Sequence, residues 1–192
     1  MDAGAGDPSA GLDAKKKSLE AAERDEQQRP AYRARLVGRE AGEFVVVDEC
    51  GSNINLTPLY ARAPRGERAG GSIPRNTGRN TTLIAALSVS GMGPAMTLEG
   101  ATDRLAFEAY LEQVLTPSLE PGKVVVMDNL SAHKGKRVRA LIEAYGCELW
   151  YLPAYSPDLS PIEEAFSKLK GLLRRAEART REALEDAIGS GP

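Results

Sequence analysis

Three short runs of consecutive apolar residues constrain the fold of this chain more than any other feature. They lie within 43–48, 123–127 and 147–152, and the second contains three valines in a row. Consecutive rather than alternating apolar residues are typical of strands that are covered on both faces. Each run is also shorter than an ordinary helix. We therefore predict an α/β fold in which helices pack against both faces of a sheet.

The segments between these strands complete the predicted order of elements. A β-hairpin is predicted at 81–99, with its turn at 91–94, because Gly and Pro separate two β-rich runs there. Helices are predicted at 103–116, 131–145, 162–175 and 181–188. Thr102 or Asp103 caps the first of them, and Thr180 caps the last. A strand, a hairpin and then alternating helices and strands form the ribonuclease H-like order, so we expect a mixed sheet of that class.

The residues before the predicted domain, which spans 43–190, differ from it in composition. Residues 1–14 are rich in Gly, Ala, Asp and Ser, which predicts a disordered leader. Residues 15–42 predict a charged helical linker, in which a solvated helix ends at Pro30. Neither segment has enough apolar residues to form a core of its own.

Composition excludes several classes of protein. The 192 residues contain only two cysteines, Cys50 and Cys147, and one histidine, His133. A disulfide framework and a zinc site built from Cys and His are therefore excluded. No apolar run approaches the roughly 18 residues that span a bilayer, and the N-terminus lacks a signal peptide's apolar region. We expect a cytoplasmic protein with no membrane partner.

Three acidic residues lie at the ends of predicted elements. Asp48 and Asp128 each close a buried strand, and Glu163 opens the helix after the third strand. Strand ends are where ligands collect in open α/β sheets, and oxygen-only ligands suit Mg²⁺ or Mn²⁺. Such a site supports phosphoryl displacement. The alternative is that each acid caps a helix or closes a turn, and periodicity alone leaves both interpretations open.

Two longer motifs surround the second and third acids. The segment 125–134 reads Val-Val-Met-Asp-Asn-Leu-Ser-Ala-His-Lys, and 152–163 reads Leu-Pro-Ala-Tyr-Ser-Pro-Asp-Leu-Ser-Pro-Ile-Glu. Both resemble the DDE transposases of the Tc/mariner superfamily, and are most similar to its bacterial insertion-sequence branch. The 34 residues between Asp128 and Glu163 are typical of that branch. Ser160 stands where the family usually has Asn.

The resemblance implies roles for particular residues. It selects Asp48, Asp128 and Glu163 as catalytic ligands of two Mg²⁺ or Mn²⁺ ions, in preference to the neighbouring Glu49 and Glu164. The latter two are expected to be solvated or to support the ligands from behind. Two further residues, Asn129 and His133, are implied as supporting or positioning groups beside the site.

Basic residues are concentrated in two segments, although the net charge is −2. One segment lies in a long loop expected at 50–79, with room for a short strand at 59–63. The other follows the third acid, at 168–181. Solvated surfaces are one interpretation of these segments, and contacts to DNA phosphates are the other. The resemblance favours DNA contacts by Arg62, Arg65, Arg68, Lys134, Lys168 and Lys170.

The function implied by the resemblance is metal-dependent DNA strand cleavage and strand transfer during transposition of an insertion sequence. Its partners would be double-stranded DNA, as transposon ends and target in the bacterial nucleoid, and a second copy of the chain in a homodimer. The family's N-terminal helix-turn-helix domain is expected to be absent and supplied by a longer or separate polypeptide. Two alternatives are another ribonuclease H-like nuclease of the resolvase type and a non-catalytic DNA-binding remnant.

Overall fold

A computed structural model describes residue 22 and residues 24–190. Within these residues, five strands form one mixed sheet: β1 (Phe44–Ser52), β2 (Thr81–Ser88), β3 (Gly91–Glu99), β4 (Val124–Met127) and β5 (Glu148–Tyr151). Their spatial order is β3-β2-β1-β4-β5. The first three strands pair antiparallel, whereas β1, β4 and β5 pair parallel to one another. The predicted mixed sheet is confirmed.

Helices cover both faces of this sheet, as predicted. In the described part of the chain they are α1 (Gln28–Leu36), α2 (Arg104–Tyr110), α3 (Lys136–Ala144), α4 (Ile162–Ala176) and α5 (Arg181–Gly189). Asp103 and Thr180 accept backbone hydrogen bonds at the starts of α2 and α5, which confirms both caps. Beyond Tyr110, α2 continues as a π-helical turn and a 3₁₀ turn. None of these helices is long and apolar enough to cross a bilayer.

Side chains that alternate along the strands enter two apolar clusters, one on each face. On one face, Val46 and Trp150 pack with Phe166 of α4, together with residues of α1 and α5. On the other face, Val47 packs with Phe107 of α2 and with residues of α3. The consecutive valines of β1 and β4 therefore serve both clusters, which explains why these strands lack polar alternation.

Several predicted boundaries are wrong. The first strand does not end at Asp48, because β1 continues to Ser52 and pairs with β2 as far as Thr81. The hairpin turn lies at Val89 and Ser90 instead of 91–94, since Gly91 already pairs in β3. Within the described residues no strand occurs at 59–63.

The predicted helix ending at Pro30 is also wrong. Residues 24–27 are not helical, and Pro30 lies in the first turn of α1, where a missing backbone N–H costs nothing. The leader at 1–14, residues 15–21 and residue 23 lie outside the described residues. The boundaries of the predicted domain stay a prediction.

Candidate active site

The first two acids belong to neighbouring parallel strands: Asp48 lies within β1, and Asp128 directly follows β4. Val47 of β1 pairs with Met127 of β4, and Asp48 and Asp128 are the next residues along each chain. Because neighbouring strands lie about 4.8 Å apart, this register places the two acids next to each other at the point where β4 ends. The strand pairing that buries the valines therefore also brings these acids together.

The third acid reaches the same place from helix α4. Glu163 lies in the first turn of α4, and its backbone N–H donates to the carbonyl of Ser160 at 3.3 Å. All three acids line one cavity of about 300 Å³. Its remaining walls are Asn129, Leu130 and the loop at 152–160. The cavity thus joins residues that are more than one hundred positions apart in the sequence.

Charge repulsion within this cavity is visible at Asp48. Burial is the main cause that raises the pKa of its carboxyl, from near 3.8 to about 6, and the charges of Asp128, Glu163 and Glu49 add to it. A backbone hydrogen bond of 2.7 Å from Glu49 to Asp48 Oδ1 opposes the change. Negative charges therefore predominate around the Asp48 carboxyl.

His133 bridges two acids behind the cavity. Its Nδ1 lies 2.5 Å from Asp128 Oδ1, and its Nε2 lies 3.2 Å from Glu49 Oε1. Burial lowers the pKa of the imidazole, but hydrogen bonds to both carboxylates and their charges outweigh it and raise the pKa to about 9. The ring is therefore protonated at neutral pH and donates to both carboxylates.

Packing fixes the position of this imidazole. His133 is fully buried and stacks on Phe107, with ring centroids 4.1 Å apart. The Tyr151 hydroxyl donates to its backbone carbonyl at 2.7 Å. Asp128 Oδ1 also accepts from the backbone N–H of Leu130 at 3.0 Å. His133 and the Leu130 backbone thus bond the same oxygen, Oδ1, of Asp128, which lines the cavity.

Comparison with known proteins establishes the family. Residues 43–185 match the sequence profile described as DDE superfamily endonuclease. The chain belongs to this family. The matched residues include both motifs and all three acids, so the resemblance stated from the sequence is confirmed at this level.

Two curated relatives of the domain are nematode transposases. The chain is 26% identical over 131 residues to the transposable element Tc1 transposase of Caenorhabditis elegans, which covers 66% of this chain and 45% of that protein. It is 28% identical over 108 residues to the Tcb1 transposase of Caenorhabditis briggsae, covering 54% of this chain and 40% of that protein. The chain therefore spans less than half the length of each relative.

Solved structures share the fold. Mos1 transposase in a paired-end complex with the left transposon end has a TM-score of 0.73 at 21% identity, covering 93% of this chain and 58% of that chain. The mariner Mos1 paired-end complex with Mg has a TM-score of 0.68 at 19% identity, with the same two coverages. These likenesses confirm the predicted ribonuclease H-like fold.

The remaining predicted site residues are Asn129 and six basic residues. Asn129 lines the cavity, whereas none of the six predicted DNA-binding residues does. Arg62, Arg65 and Arg68 are exposed in the segment between β1 and β2. Three lysines complete the set: Lys134 and Lys168 are exposed, and Lys170 is half-buried beside Cys50 on the helix of Glu163.

The sequence left the role of one contributor to the site open and did not predict a second. Glu49 was expected to be solvated or supporting, and its bond to His133 depends on a strand pairing that no local motif reveals. Ser160 carries a buried hydroxyl that none of the described residues bonds, at the wall of the cavity. The sequence signal that pointed to Ser160 was that it stands where the family usually has Asn.

The donor chemistry of the cavity fits a hard divalent cation. All three acids offer carboxylate oxygens, and the raised pKa of Asp48 shows that a cation would relieve repulsion there. Among the described residues, no three His, Cys, Asp or Glu side chains are already close enough together to form a metal-binding group. Asp48, Asp128 and Glu163 are therefore the residues that would hold such an ion.

Proposed function

We propose that this domain cleaves DNA strands and joins the freed 3′-hydroxyl to target DNA, with Asp48, Asp128 and Glu163 holding two Mg²⁺ or Mn²⁺ ions. The observation that carries the proposal is that three elements bring these carboxylates to one cavity. Bound cations would stabilise charge on the phosphoryl oxygens and activate the attacking oxygen. The solved mariner complexes with Mg and with Mn are consistent with this choice of cation.

The supporting residues act on the orientation of Asp128. His133 donates to one of its oxygens, and Glu49 holds the far side of the imidazole, so that the carboxylate keeps one rotamer. Asn129 follows Asp128 directly and offers amide groups to the cavity. Supporting partners of this kind raise affinity because the ligand does not have to be ordered when the ion binds.

The proposed substrate is double-stranded DNA at transposon ends and at the target. Positive charge for contacts to DNA phosphates would come from six exposed or half-buried residues: Arg62, Arg65, Arg68, Lys134, Lys168 and Lys170. Mos1 transposase has been solved with paired transposon ends, which supports a homodimer in the active complex. End recognition would come from a helix-turn-helix region on a longer or separate polypeptide. The motifs favour a bacterial insertion sequence, acting in the nucleoid.

A matched pair of variants tests the proposal. Glu163→Gln removes a charge from the cavity, whereas Glu164→Gln removes the same charge one residue away, outside its walls. We expect supercoiled plasmid nicking in Mg²⁺ or Mn²⁺ by the wild type and by Glu164→Gln. Nicking should fall at least 100-fold in Glu163→Gln and be absent in chelator.

Three results would contradict this function. Nicking by Glu163→Gln at the wild-type rate would place the chemistry elsewhere. Full activity in chelator would remove the need for a cation. Salt-sensitive binding of duplex DNA without any metal-dependent nicking by the wild type would support a non-catalytic DNA-binding domain.

A further inference from the structure

A buried arginine on α1 holds the loop that precedes Glu163. The Arg29 side chain is 3% exposed and makes paired hydrogen bonds to Asp158, at 3.0 Å from Nη1 to Oδ1 and 2.6 Å from Nη2 to Oδ2. Its Nη1 also donates to Ser156 Oγ at 2.8 Å. Paired, charge-assisted bonds of this geometry fix direction as well as distance. The ion pair lowers the pKa of the Asp158 carboxyl.

The loop held in this way forms one wall of the catalytic cavity. Ser156 and Ser160 line the cavity, and the 3₁₀ turn Pro157–Leu159 lies between them. The carbonyl of Ser160 accepts from the backbone N–H of Glu163 at the start of α4. Asp158 and Glu163 are five residues apart, and short-range backbone hydrogen bonds connect the segment between them. A displacement of Asp158 would therefore also move Glu163.

The same loop contains a backbone conformation that needs external support. Tyr155 has φ of 51°, in the left-handed region that a bulky residue rarely adopts. Ser156 follows immediately, and its Oγ both accepts from Arg29 and donates to the carbonyl of Ala154 at 3.2 Å. Arg29 thus bonds the residue next to the strained position.

Helix α1 is itself fixed against the sheet, so Arg29 has a defined position. Tyr32 packs edge-on against Trp150 of β5, with centroids 6.3 Å apart. The guanidinium carbon of Arg35 lies 3.7 Å from the centroid of the same indole ring. These three residues lie on one side of the nine-residue helix over successive turns, and they fix it against the sheet and against the loop that lines the cavity.

We propose that Arg29 is a positioning residue for Glu163, acting through Ser156 and Asp158, so that docking of α1 sets the geometry of the catalytic cavity. This inference rests on the proposed function, because it gives Glu163 a catalytic role. It assigns to the charged segment before β1 a part in the active site that a linker would not have. Arg29 does not line the catalytic cavity, so its effect on Glu163 is indirect.

Variants of the full chain separate positioning from simple stabilisation. Arg29→Met removes the paired bonds but keeps a long apolar side chain, and Arg33→Met on the exposed side of α1 is its matched control. Asp158→Asn removes the charge from the half-exposed partner and serves if Arg29→Met does not fold. Arg29→Lys keeps the charge but loses the planar fork. Each is compared at a temperature at which thermal unfolding shows it to be folded.

Three readouts are needed, and the first two do not require activity. In a titration with Mn²⁺ alone, we expect about tenfold weaker binding by Arg29→Met and Asp158→Asn, partial recovery in Arg29→Lys and no change in Arg33→Met. Hydrogen exchange should rise at 153–161 in the same variants. In plasmid nicking, kcat should fall about 10- to 100-fold while KM for DNA changes less than twofold.

The double variant Arg29→Met/Asp158→Asn should be no worse than Arg29→Met alone, because that single variant already removes the bonds to Asp158. Wild-type Mn²⁺ affinity and exchange at 153–161 in folded Arg29→Met would overturn the inference. So would additive losses in the double variant. If the wild type binds Mn²⁺ but nicks no DNA, the proposed function fails, and the binding and exchange results still decide the positioning role.

Discussion

Asp48→Asn is predicted to stabilise the protein in the absence of divalent cations. The ionised carboxylate is partly buried and faces the negative charges of Asp128, Glu163 and Glu49, so its charge destabilises the folded state. An asparagine has nearly the same shape, and its Oδ1 can still accept the backbone hydrogen bond from Glu49. The substitution therefore removes the charge and little else.

The size and sign of the effect follow from the pKa of Asp48. A rise from near 3.8 to about 6 corresponds to about 3 kcal/mol when the carboxyl is ionised in both states. Partial exposure of the side chain reduces this to about 1–2 kcal/mol. The folded state keeps its proton up to about pH 6, whereas the unfolded chain loses it near pH 4. The penalty therefore develops between pH 4 and pH 6 and is complete above that range.

Thermal or urea unfolding in chelator, from pH 4 to pH 8, measures this difference. We expect Asp48→Asn to exceed the wild type by about 1–2 kcal/mol at pH 8 and to match it near pH 4. Glu164→Gln is the control, because this exposed carboxylate does not line the cavity. Added Mn²⁺ should raise the stability of the wild type and leave Asp48→Asn nearly unchanged.

The reasoning is refuted if Asp48→Asn is less stable than the wild type at pH 8 in chelator. A gain of the same size at pH 4 and pH 8 would also refute it, because an effect without pH dependence would not come from the charge. Equal stabilisation of both proteins by Mn²⁺ would show that Asp48 does not hold the ion.

Two further predictions concern residues outside the set of three acids. His133→Ala should weaken Mn²⁺ binding and lower the nicking rate about 10- to 100-fold, because Asp128 loses the group that orients it. Isothermal titration with Mn²⁺ and parallel nicking assays check both effects. Neutralising Arg65 and Arg68 together should weaken duplex binding equally for transposon-end and scrambled sequences and reduce its salt dependence, because phosphate contacts carry no base information. Fluorescence anisotropy titrations measure both affinities. A loss of affinity confined to one of the two sequences would contradict this prediction.

The parts of the fold that sequence predicts are those with a local signature. Consecutive valines at 124–126 can only be covered on both faces, and Thr180 bonds a backbone N–H three residues away. The end of β1 had no such signature. Residues 49–52 are polar and turn-like in sequence, but antiparallel pairing with β2 keeps them extended. Tertiary pairing overrides local preference there.

The candidate site likewise contains residues that local sequence predicts and residues that it does not. The motifs around Asp128 and Glu163, and the spacing between them, indicate these two acids directly, because the family pattern consists of residues close together in the sequence. The bonds of Glu49 to His133 and of Arg29 to Asp158 join residues 84 and 129 positions apart. No periodicity connects such residues, and they are brought together only when the sheet and α1 are assembled.

Anomalous diffraction from crystals soaked in Mn²⁺ tests the central claim most directly, because it locates the ion without relying on turnover. We expect Mn²⁺ peaks in the cavity bounded by Asp48, Asp128 and Glu163, within about 2.0–2.3 Å of their carboxylate oxygens. Peaks confined to Glu49 or Glu164, or an empty cavity at Mn²⁺ concentrations that support nicking, would contradict it.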